Sequence, residues 1–251
     1  LGKDLGLFHF HPAAPGSPFF APHGTIIYNE LQSFVREQYL KYGYQEVITP
    51  QIFDVNLFHQ SGHYENYRDN MYFTHIDERD FSLKPMNCPS HCLLYQAERK
   101  SYRELPWRVA DFGRLHRYER SGVMHGLTRV RGMTQADSHI YCTKEQMPGE
   151  LTALLTFVLD LLREFGLDDF YLELSTRDDS DKFIGSAEDW AEATGALELA
   201  ASESGLKLVP DPGGAAYYGP KISVQARDAI GRTWQMSTSQ VDFNQPKRFE
   251  L

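Results

Sequence analysis

The chain has 251 residues, 41% hydrophobic and 24% charged, which is the composition of an ordinary globular protein with a sizeable core. Its 25 basic and 34 acidic side chains give a net charge of −9, which excludes a general electrostatic attraction of the whole chain for nucleic acid. Three cysteines do not form a disulfide framework and favour the reducing cytoplasm. No stretch reaches the roughly 20 apolar residues of a membrane span, and the first residues do not resemble a signal peptide, so we expect no membrane association.

The first half of the chain predicts an irregular start, a helix and a short strand. Residues 1–24 are rich in Pro and Gly, which disfavour regular structure. The stretch "TIIYNELQSFVREQYLKYG" has apolar residues at helical spacing and ends on Gly43, so it predicts an amphipathic helix beginning at Thr25. The next segment, "YQEVITP", predicts a strand that ends at Pro50.

Two longer strands are predicted in the middle of the chain, over Arg108–Arg120 and Thr128–Cys142, joined by a long hairpin loop. Alternate side chains of a strand share a face, so the second strand should present one polar row. The row comprises Arg129, Arg131, Met133, Gln135, Asp137 and His139. Its mixture of residue types indicates a wet pocket rather than an outer solvent face.

The second half predicts two helices, a strand and a closing hairpin. Residues 144–167 have the apolar periodicity of a helix, and residues 168–176 read as a strand. Ser186, with Asp189 three positions later, is typical of a helix N-cap. Residues 221–243 predict a β-hairpin that turns near Gly231. The pattern favours an α+β fold, with an antiparallel sheet flanked by helices in one domain over residues 1–251.

Charge and motifs narrow the chemistry. Between Arg103 and Arg131 the chain has seven arginines, three acids and no lysine, a local net charge of +4. A charged, solvated edge strand would explain a generic basic run, but the exclusive use of arginine suits a bidentate grip on phosphate or carboxylate. Phosphate-loop, dinucleotide-fold, zincin and serine-hydrolase motifs are all missing.

A set of long motifs occurs in order along the chain: "YGYQEVITP", "LKPMNCPSHC", "FGRLHRYERSGVMHGLTRVRGMTQADSHIYC", "AAYYGPKISVQ" and "TWQMSTSQVDF". Together they resemble the catalytic domain of the threonyl-tRNA synthetase family, which are class II aminoacyl-tRNA synthetases. The resemblance implies a class II antiparallel sheet with helices, a homodimer that uses the first motif as its interface, and ligation of threonine to tRNA(Thr) with ATP and Mg²⁺.

The resemblance also implies residue roles. Arg117 and Lys221 match catalytic residues that contact phosphate, and Arg117 also holds the amino-acid carboxylate. The ATP-binding positions are Arg117, Glu119, Arg129, Met133 and Gln235. The threonine-binding positions are Met86, Gln135, Asp137, Tyr218 and Gln240. In-line attack by a carboxylate on phosphorus brings two anions together, so arginines that neutralise them fit the chemistry.

Zinc is the implied cofactor for amino-acid selection, bound directly by the amino group and hydroxyl of threonine. Cys88, His91 and Cys92 are spaced like a compact metal knuckle, but the resemblance assigns only Cys88 and, on the polar strand, His139 as ligands. A histidine beyond residue 251 is expected to supply the third. We interpret His91 and Cys92 as local structure, and we expect Asp137 to accept the proton of the substrate hydroxyl.

Departures from the family pattern leave alternatives open. The third class II motif, the editing domain and the anticodon-binding domain are not among the 251 residues, so we expect uncorrected misactivation of serine. Met133, Ala136 and Ser239 replace an aromatic, an acidic and an aliphatic residue respectively. The chain could instead be a synthetase-like module that binds nucleotide or amino acid without catalysis. A class II synthetase for proline or serine is a further alternative, which predicts no zinc.

Overall fold

The computed structural model describes residues 1–251 and divides into two units. The first unit consists of Leu1–Arg99 and Arg108–His139, and the second of Lys100–Trp107 and Ile140–Leu251. The fold class expected from the sequence, helices with largely antiparallel sheets, is confirmed. None of the helices combines the length and the apolar composition needed to cross a bilayer.

The first unit contains small sheets and four α-helices. Its elements are β1 (Phe8–His9), β2 (Phe19–Phe20), α1 (Pro22–Lys41), β3 (Gln45–Glu46), β4 (Ile52–Asp54), α2 (Val55–Ser61), α3 (His63–Tyr67), β5 (Tyr72–Ile76), β6 (Arg79–Leu83), α4 (Cys88–Gln96) and, apart from one or two end residues, β7 (Trp107–His116) and β8 (Gly132–Tyr141). One sheet has the order β3-β7-β8, with β3 and β7 parallel, and another the order β4-β6-β5, all antiparallel. The sequence patterns did not indicate this second sheet or the helices α2 to α4.

Helix α1 begins at Pro22, three residues before the predicted start, because proline suits the first turn of a helix, where its missing N–H has no partner to lose. Its buried positions are Gly24 and Tyr39, whereas Ile27 and Leu31 are 48% and 46% exposed. The helix therefore leaves apolar side chains uncovered within this chain.

The predicted central strands are shorter than expected, and the polar row is correspondingly shorter. Strand β8 begins only at Gly132, because the N–H of Arg131 donates to the carbonyl of Gly16 at 2.7 Å. The Arg131 side chain is buried, and its Nε donates to the carbonyl of Glu119 at 2.8 Å. The prediction that Arg129 and Arg131 continue the alternation of β8 is therefore wrong.

The second unit is a four-stranded sheet covered by two long helices. Its elements are α5 (Met147–Glu164), β9 (Phe170–Thr176), α6 (Ala187–Ser204), β10 (Leu208–Pro212), β11 (Lys221–Arg227), β12 (Thr233–Gln240) and α7 (Asn244–Arg248). The strand order is β10-β9-β11-β12, in which only β10 and β9 are parallel. Ser186 caps α6 as predicted, its Oγ accepting the N–H of Asp189 at 3.0 Å. The core packs α5 and α6 on the sheet through Leu155, Leu172, Leu197, Ile222 and Val224.

Asp242 links β12 to α7. Its Oδ1 accepts the backbone N–H groups of Asn244 at 2.7 Å and Gln245 at 3.0 Å. Burial nevertheless raises the pKa of Asp242 to about 6, because the desolvated carboxylate loses more than these two bonds return. The carboxyl group therefore titrates well above the range of an ordinary aspartate.

Replacing Asp242 by Asn should stabilise the protein at neutral pH. The folded-state pKa of about 6 lies above the ordinary 3.8, so the contribution of Asp242 to stability is complete below pH 3.8 and is lost as the pH rises through about 6. Asparagine cannot ionise and still offers an oxygen to the two N–H groups. The free energy of unfolding should therefore rise by roughly 1–3 kcal/mol at pH 7 and change little at pH 4.

Denaturant unfolding followed by tryptophan fluorescence, to which Trp190, buried on α6, contributes, measures this difference. The exposed Asp168→Asn is the matched control and should give no pH-dependent gain. An equal effect of Asp242→Asn at pH 4 and pH 7 would contradict the account.

Candidate active site

A cluster of charged side chains follows β7 in the first unit. The Nε of Arg117 donates to the carbonyl of Pro85 at 3.0 Å, which fixes the base of its guanidinium group. Glu119 is only 4% exposed, and its Oε2 lies 3.3 Å from the Nε of Arg129. Burial raises the pKa of the neighbouring Tyr67 although the charges of Arg117 and Arg129 oppose the shift. Two guanidinium groups and one carboxylate leave this cluster with a net positive charge, which suits an anionic ligand.

Strand β8 carries Met133, Gln135, Asp137 and His139 at alternate positions, so these four side chains share one face, as the sequence predicts. Gln135 is exposed, and the other three are half-buried. The face offers an amide, a carboxylate and an imidazole in a row. It can therefore bind a small polar ligand by several hydrogen bonds.

Asp137 is held by a residue fifty positions earlier in the chain. The Nδ2 of Asn87, which is fully buried, donates to the Oδ2 of Asp137 at 2.9 Å. Asn87 is also the N-cap residue of α4, and Cys88 is the first residue of that helix. Met86 and Cys88, both half-buried, flank Asn87, so the hydrogen bond ties the "MNC" segment to the polar face of β8.

His139 makes its contact with His91, the two Nδ1 atoms lying 2.7 Å apart. Burial lowers the pKa of His139 to about 4, so its imidazole is neutral at physiological pH, which is the form that binds metals. The interpretation of His91 as local structure is therefore incomplete, because its ring contacts a predicted ligand. Cys92 is only 3% exposed and lies on the same helix.

The donor chemistry of Cys88 and His139 fits zinc. Thiolate sulfur and neutral imidazole nitrogen are the ligands that zinc prefers, and the start of a helix stabilises a thiolate. No group of three or more His, Cys, Asp or Glu side chains converges as a complete metal site. The two residues are therefore candidate ligands rather than a closed structural site.

The second unit brings three of its four predicted residues together at one end of the β11–β12 hairpin. Lys221 lies opposite Gln240 in the strand register. The hydroxyl group of Tyr218 donates to the Oε1 of Gln240. An amine, a phenol and an amide thus lie close to one another, as expected for a polar binding site.

A β-bulge places the fourth residue, Gln235, on the same face. Five positions separate Gln235 from Gln240, which in a regular strand would put them on opposite faces. The register shifts between Val224 and Gln225, so that Gln235 pairs with Gln225 while Gln240 pairs with Lys221. The Nε2 of Gln235 accordingly donates to Thr238, whose position lies on the Gln240 face, at 2.6 Å.

Four residues hold the site from behind: sequence reasoning missed Lys84, Asn87 and Asp111, and it interpreted the fourth, His91, as local structure. All four are buried polar side chains, at most 3% exposed. Three of them lie in "LKPMNCPSHC", where the density of polar residues in a helix-start motif was the available signal. Asp111 had no signal of its own, because its partners are distant in sequence.

The family model described as tRNA synthetase class II core domain (G, H, P, S and T) matches residues 72–251. The match spans well over half of the chain, so the chain belongs to the class II tRNA synthetase core domain family. The resemblance drawn from the motifs is therefore confirmed at the level of the family.

Within that family the chain is similar to threonine–tRNA ligases. It is 59% identical over 253 residues to that of Thermobifida fusca and 54% identical over 251 residues to that of Bdellovibrio bacteriovorus. Each alignment covers 100% of this chain and 38% of the relative, so the chain spans about 38% of the length of these relatives.

A solved structure has the same fold. The crystal structure titled the RNA binding domain of threonyl-tRNA synthetase from Cryptosporidium parvum superposes with a TM-score of 0.95 at 44% identity. The superposition covers 100% of this chain and 62% of that one.

Proposed function

We propose that the protein activates L-threonine with ATP to threonyl-adenylate and transfers the threonyl group to tRNA(Thr). The observation that carries the proposal is the pair Asp137 and His139 on one face of β8, each fixed by a buried partner. A carboxylate and a neutral imidazole held side by side suit the recognition of a substrate hydroxyl. The identity of 59% to a threonine–tRNA ligase supports the choice of amino acid.

Activation requires the substrate carboxylate to attack the α-phosphorus of ATP, forming a P–O bond while the bond to pyrophosphate breaks. Arg117 is proposed to hold both anions, with Lys221 as a further phosphate contact. Glu119 would accept a hydrogen bond from the adenine amino group, Arg129 would bind the terminal phosphates, and Met133 would pack on the adenine ring. Gln235 would complete the nucleotide site. Positioning and charge neutralisation provide the catalysis, and Mg²⁺, when bound, adds to the neutralisation.

The site must discriminate threonine from valine, which has nearly the same shape but carries a methyl group in place of the hydroxyl group. Strong discrimination requires a site that bonds the hydroxyl and leaves a buried polar group unpaired when valine enters. Asp137 is proposed to accept the hydroxyl proton. Cys88 and His139 would hold zinc, which when bound acts as a Lewis acid toward the amino and hydroxyl groups of threonine. The remaining threonine contacts are proposed for Met86, Gln135, Tyr218 and Gln240.

The net charge of the chain is −9, so the chain as a whole does not attract tRNA. The tRNA is therefore proposed to bind through local clusters of arginine side chains. The reaction uses ATP and tRNA, so we place it in the cytoplasm. The odd number of cysteines is compatible with that compartment.

A homodimer is proposed on the exposed apolar side chains of α1. Ile26, Ile27, Leu31 and Leu40 are 59%, 48%, 46% and 66% exposed, and Ile48 beyond the helix is 88% exposed. A run of aliphatic side chains left in water on one segment is typical of a protein interface. A second copy of the chain would remove this surface from water.

Introducing charge on α1 should weaken the dimer. The double change Ile27→Glu and Leu31→Glu would bury two carboxylates in an apolar interface, so we expect the dimer dissociation constant to rise by at least about 100-fold. Analytical ultracentrifugation over a range of protein concentrations measures it. Leu199→Glu, at a position 49% exposed on α6, is the control. An unchanged dimer in the double variant would contradict this interface.

Threonine-dependent exchange of pyrophosphate into ATP tests the proposed reaction in the protein as its gene encodes it. Arg117→Ala should lower kcat/KM for exchange by roughly 100-fold or more, because the variant loses a cation that neutralises the reacting anions. Arg163→Ala is the matched control, since that arginine is half exposed on α5 and pairs with Asp160. If the protein binds its ligands but shows no exchange, the proposed enzymatic function is contradicted and the protein is a non-catalytic binding module.

Zinc binding distinguishes the proposed threonine enzyme from the alternative, a class II synthetase for proline or serine. Cys88→Ser should abolish zinc binding and reduce the preference for threonine over valine, whereas Cys92→Ser, at a buried position of the same helix, should leave both unchanged. Metal content after gel filtration and exchange with each amino acid measure the two effects. Loss of zinc from Cys92→Ser alone would reassign the ligand to the compact knuckle.

A further inference from the structure

The imidazole of His91 is completely buried, and one of its nitrogens faces His139. His91 lies on α4 one turn after Cys88, so both residues project from the same side of the helix. Its ring is perpendicular to that of His139, with the planes at 89° and the centroids 4.6 Å apart. With 2.7 Å between the two Nδ1 atoms, the rings must share one proton.

The other nitrogen of His91 faces a carboxylate. Its Nε2 lies 3.6 Å from the Oδ2 of Asp111, which is longer than a hydrogen bond but close enough for a strong electrostatic preference. The same oxygen accepts the hydroxyl group of Thr49 at 2.8 Å and lies 3.6 Å from the Nζ of Lys84. Asp111 is thus a fixed negative charge behind His91.

The charge of Asp111 decides which histidine donates. A proton on the Nε2 of His91 points toward the carboxylate and leaves the Nδ1 of His91 as an acceptor. The Nδ1 of His139 then carries the shared proton, and the Nε2 of His139 keeps a free lone pair. The reverse arrangement would set the lone pair of His91 Nε2 against the carboxylate, which electrostatic repulsion disfavours.

We propose that His91 and Asp111 are positioning residues that hold His139 as its Nδ1–H tautomer, which would leave the lone pair of its Nε2 available to bind zinc. The proposal rests on the proposed function, in which Cys88 and His139 bind the metal. A histidine ligand is oriented by the acceptor of its second ring nitrogen, and the loss of such an acceptor typically costs 10–100-fold in metal affinity. Here that acceptor is a second histidine with a carboxylate behind it.

Two substitutions of His91 by amide side chains distinguish a positioning role from a role in packing alone. In His91→Asn the amide oxygen takes the place of Nδ1 and can still accept the proton of His139. In His91→Gln the amide takes the place of Nε2, so the bond to His139 is lost. We expect His91→Gln to raise the zinc dissociation constant by about 10–100-fold and His91→Asn to raise it by less than about 5-fold.

The zinc dissociation constant is measured by competition with a chromophoric chelator in the protein as its gene encodes it. His63→Gln is the matched control, because His63 is also buried in the first unit and its Nδ1 contacts Ser61. If His91→Gln does not fold, Asp111→Asn, which exchanges one oxygen for an NH₂ group, carries the test and should weaken zinc binding about 10-fold.

Wild-type zinc affinity in His91→Gln or in a folded Asp111→Asn, with Cys88→Ser unable to bind zinc, would overturn the positioning role and leave the proposed function intact. Retention of zinc by Cys88→Ser would instead overturn the zinc site of the proposed function. Equal losses of zinc affinity in His91→Asn and His91→Gln would contradict the positioning role and show that His91 contributes only by packing.

Discussion

The buried carboxylate of Asp111 is the constraint on which the first unit depends. Asp111 is 3% exposed, and an isolated charge at such a site costs several kcal/mol unless other groups compensate it. Burial by itself would raise the pKa of Asp111, but the hydrogen bond from Thr49, the nearby imidazole of His91 and the charge of Lys84 hold that pKa below its ordinary range. Because Lys84 and His91 lie on either side of Cys88 in the chain, their attachment to a residue of β7 also fixes the position of Cys88.

The second unit organises its polar residues by backbone register instead of by a buried charge. On β11, Ile222, Val224 and Ala226 face the core, whereas Ser223 and Gln225 lie on the opposite face. Because of the bulge in β12, Gln235 and Gln240 both lie on that polar face. Both units thus hold functional candidates on strands that a packed or fully bonded layer supports, which gives the precision that a binding site needs.

Local patterns predicted much of this structure. Alternation over Gly132–Tyr141 placed Gln135, Asp137 and His139 on one face, and the Ser186 cap and the β11–β12 hairpin were also predicted correctly. The bond of Asn87 to Asp137 and that of His91 to His139 could not be predicted, because each joins residues about fifty positions apart. The start of β8 was misplaced for a related reason: the distant carbonyl of Gly16 takes the N–H that would have extended the strand.

In the proposed arrangement, the buried charge of Asp111 sets the tautomers of His91 and His139 and thereby prepares a metal ligand. The most direct measurement is ¹⁵N NMR of the imidazole nitrogens of His91 and His139 in the zinc-loaded protein, by long-range correlation to the ring protons. The account predicts that His91 is protonated at Nε2 and His139 at Nδ1. A proton on Nδ1 of His91, or on Nε2 of His139, would contradict it.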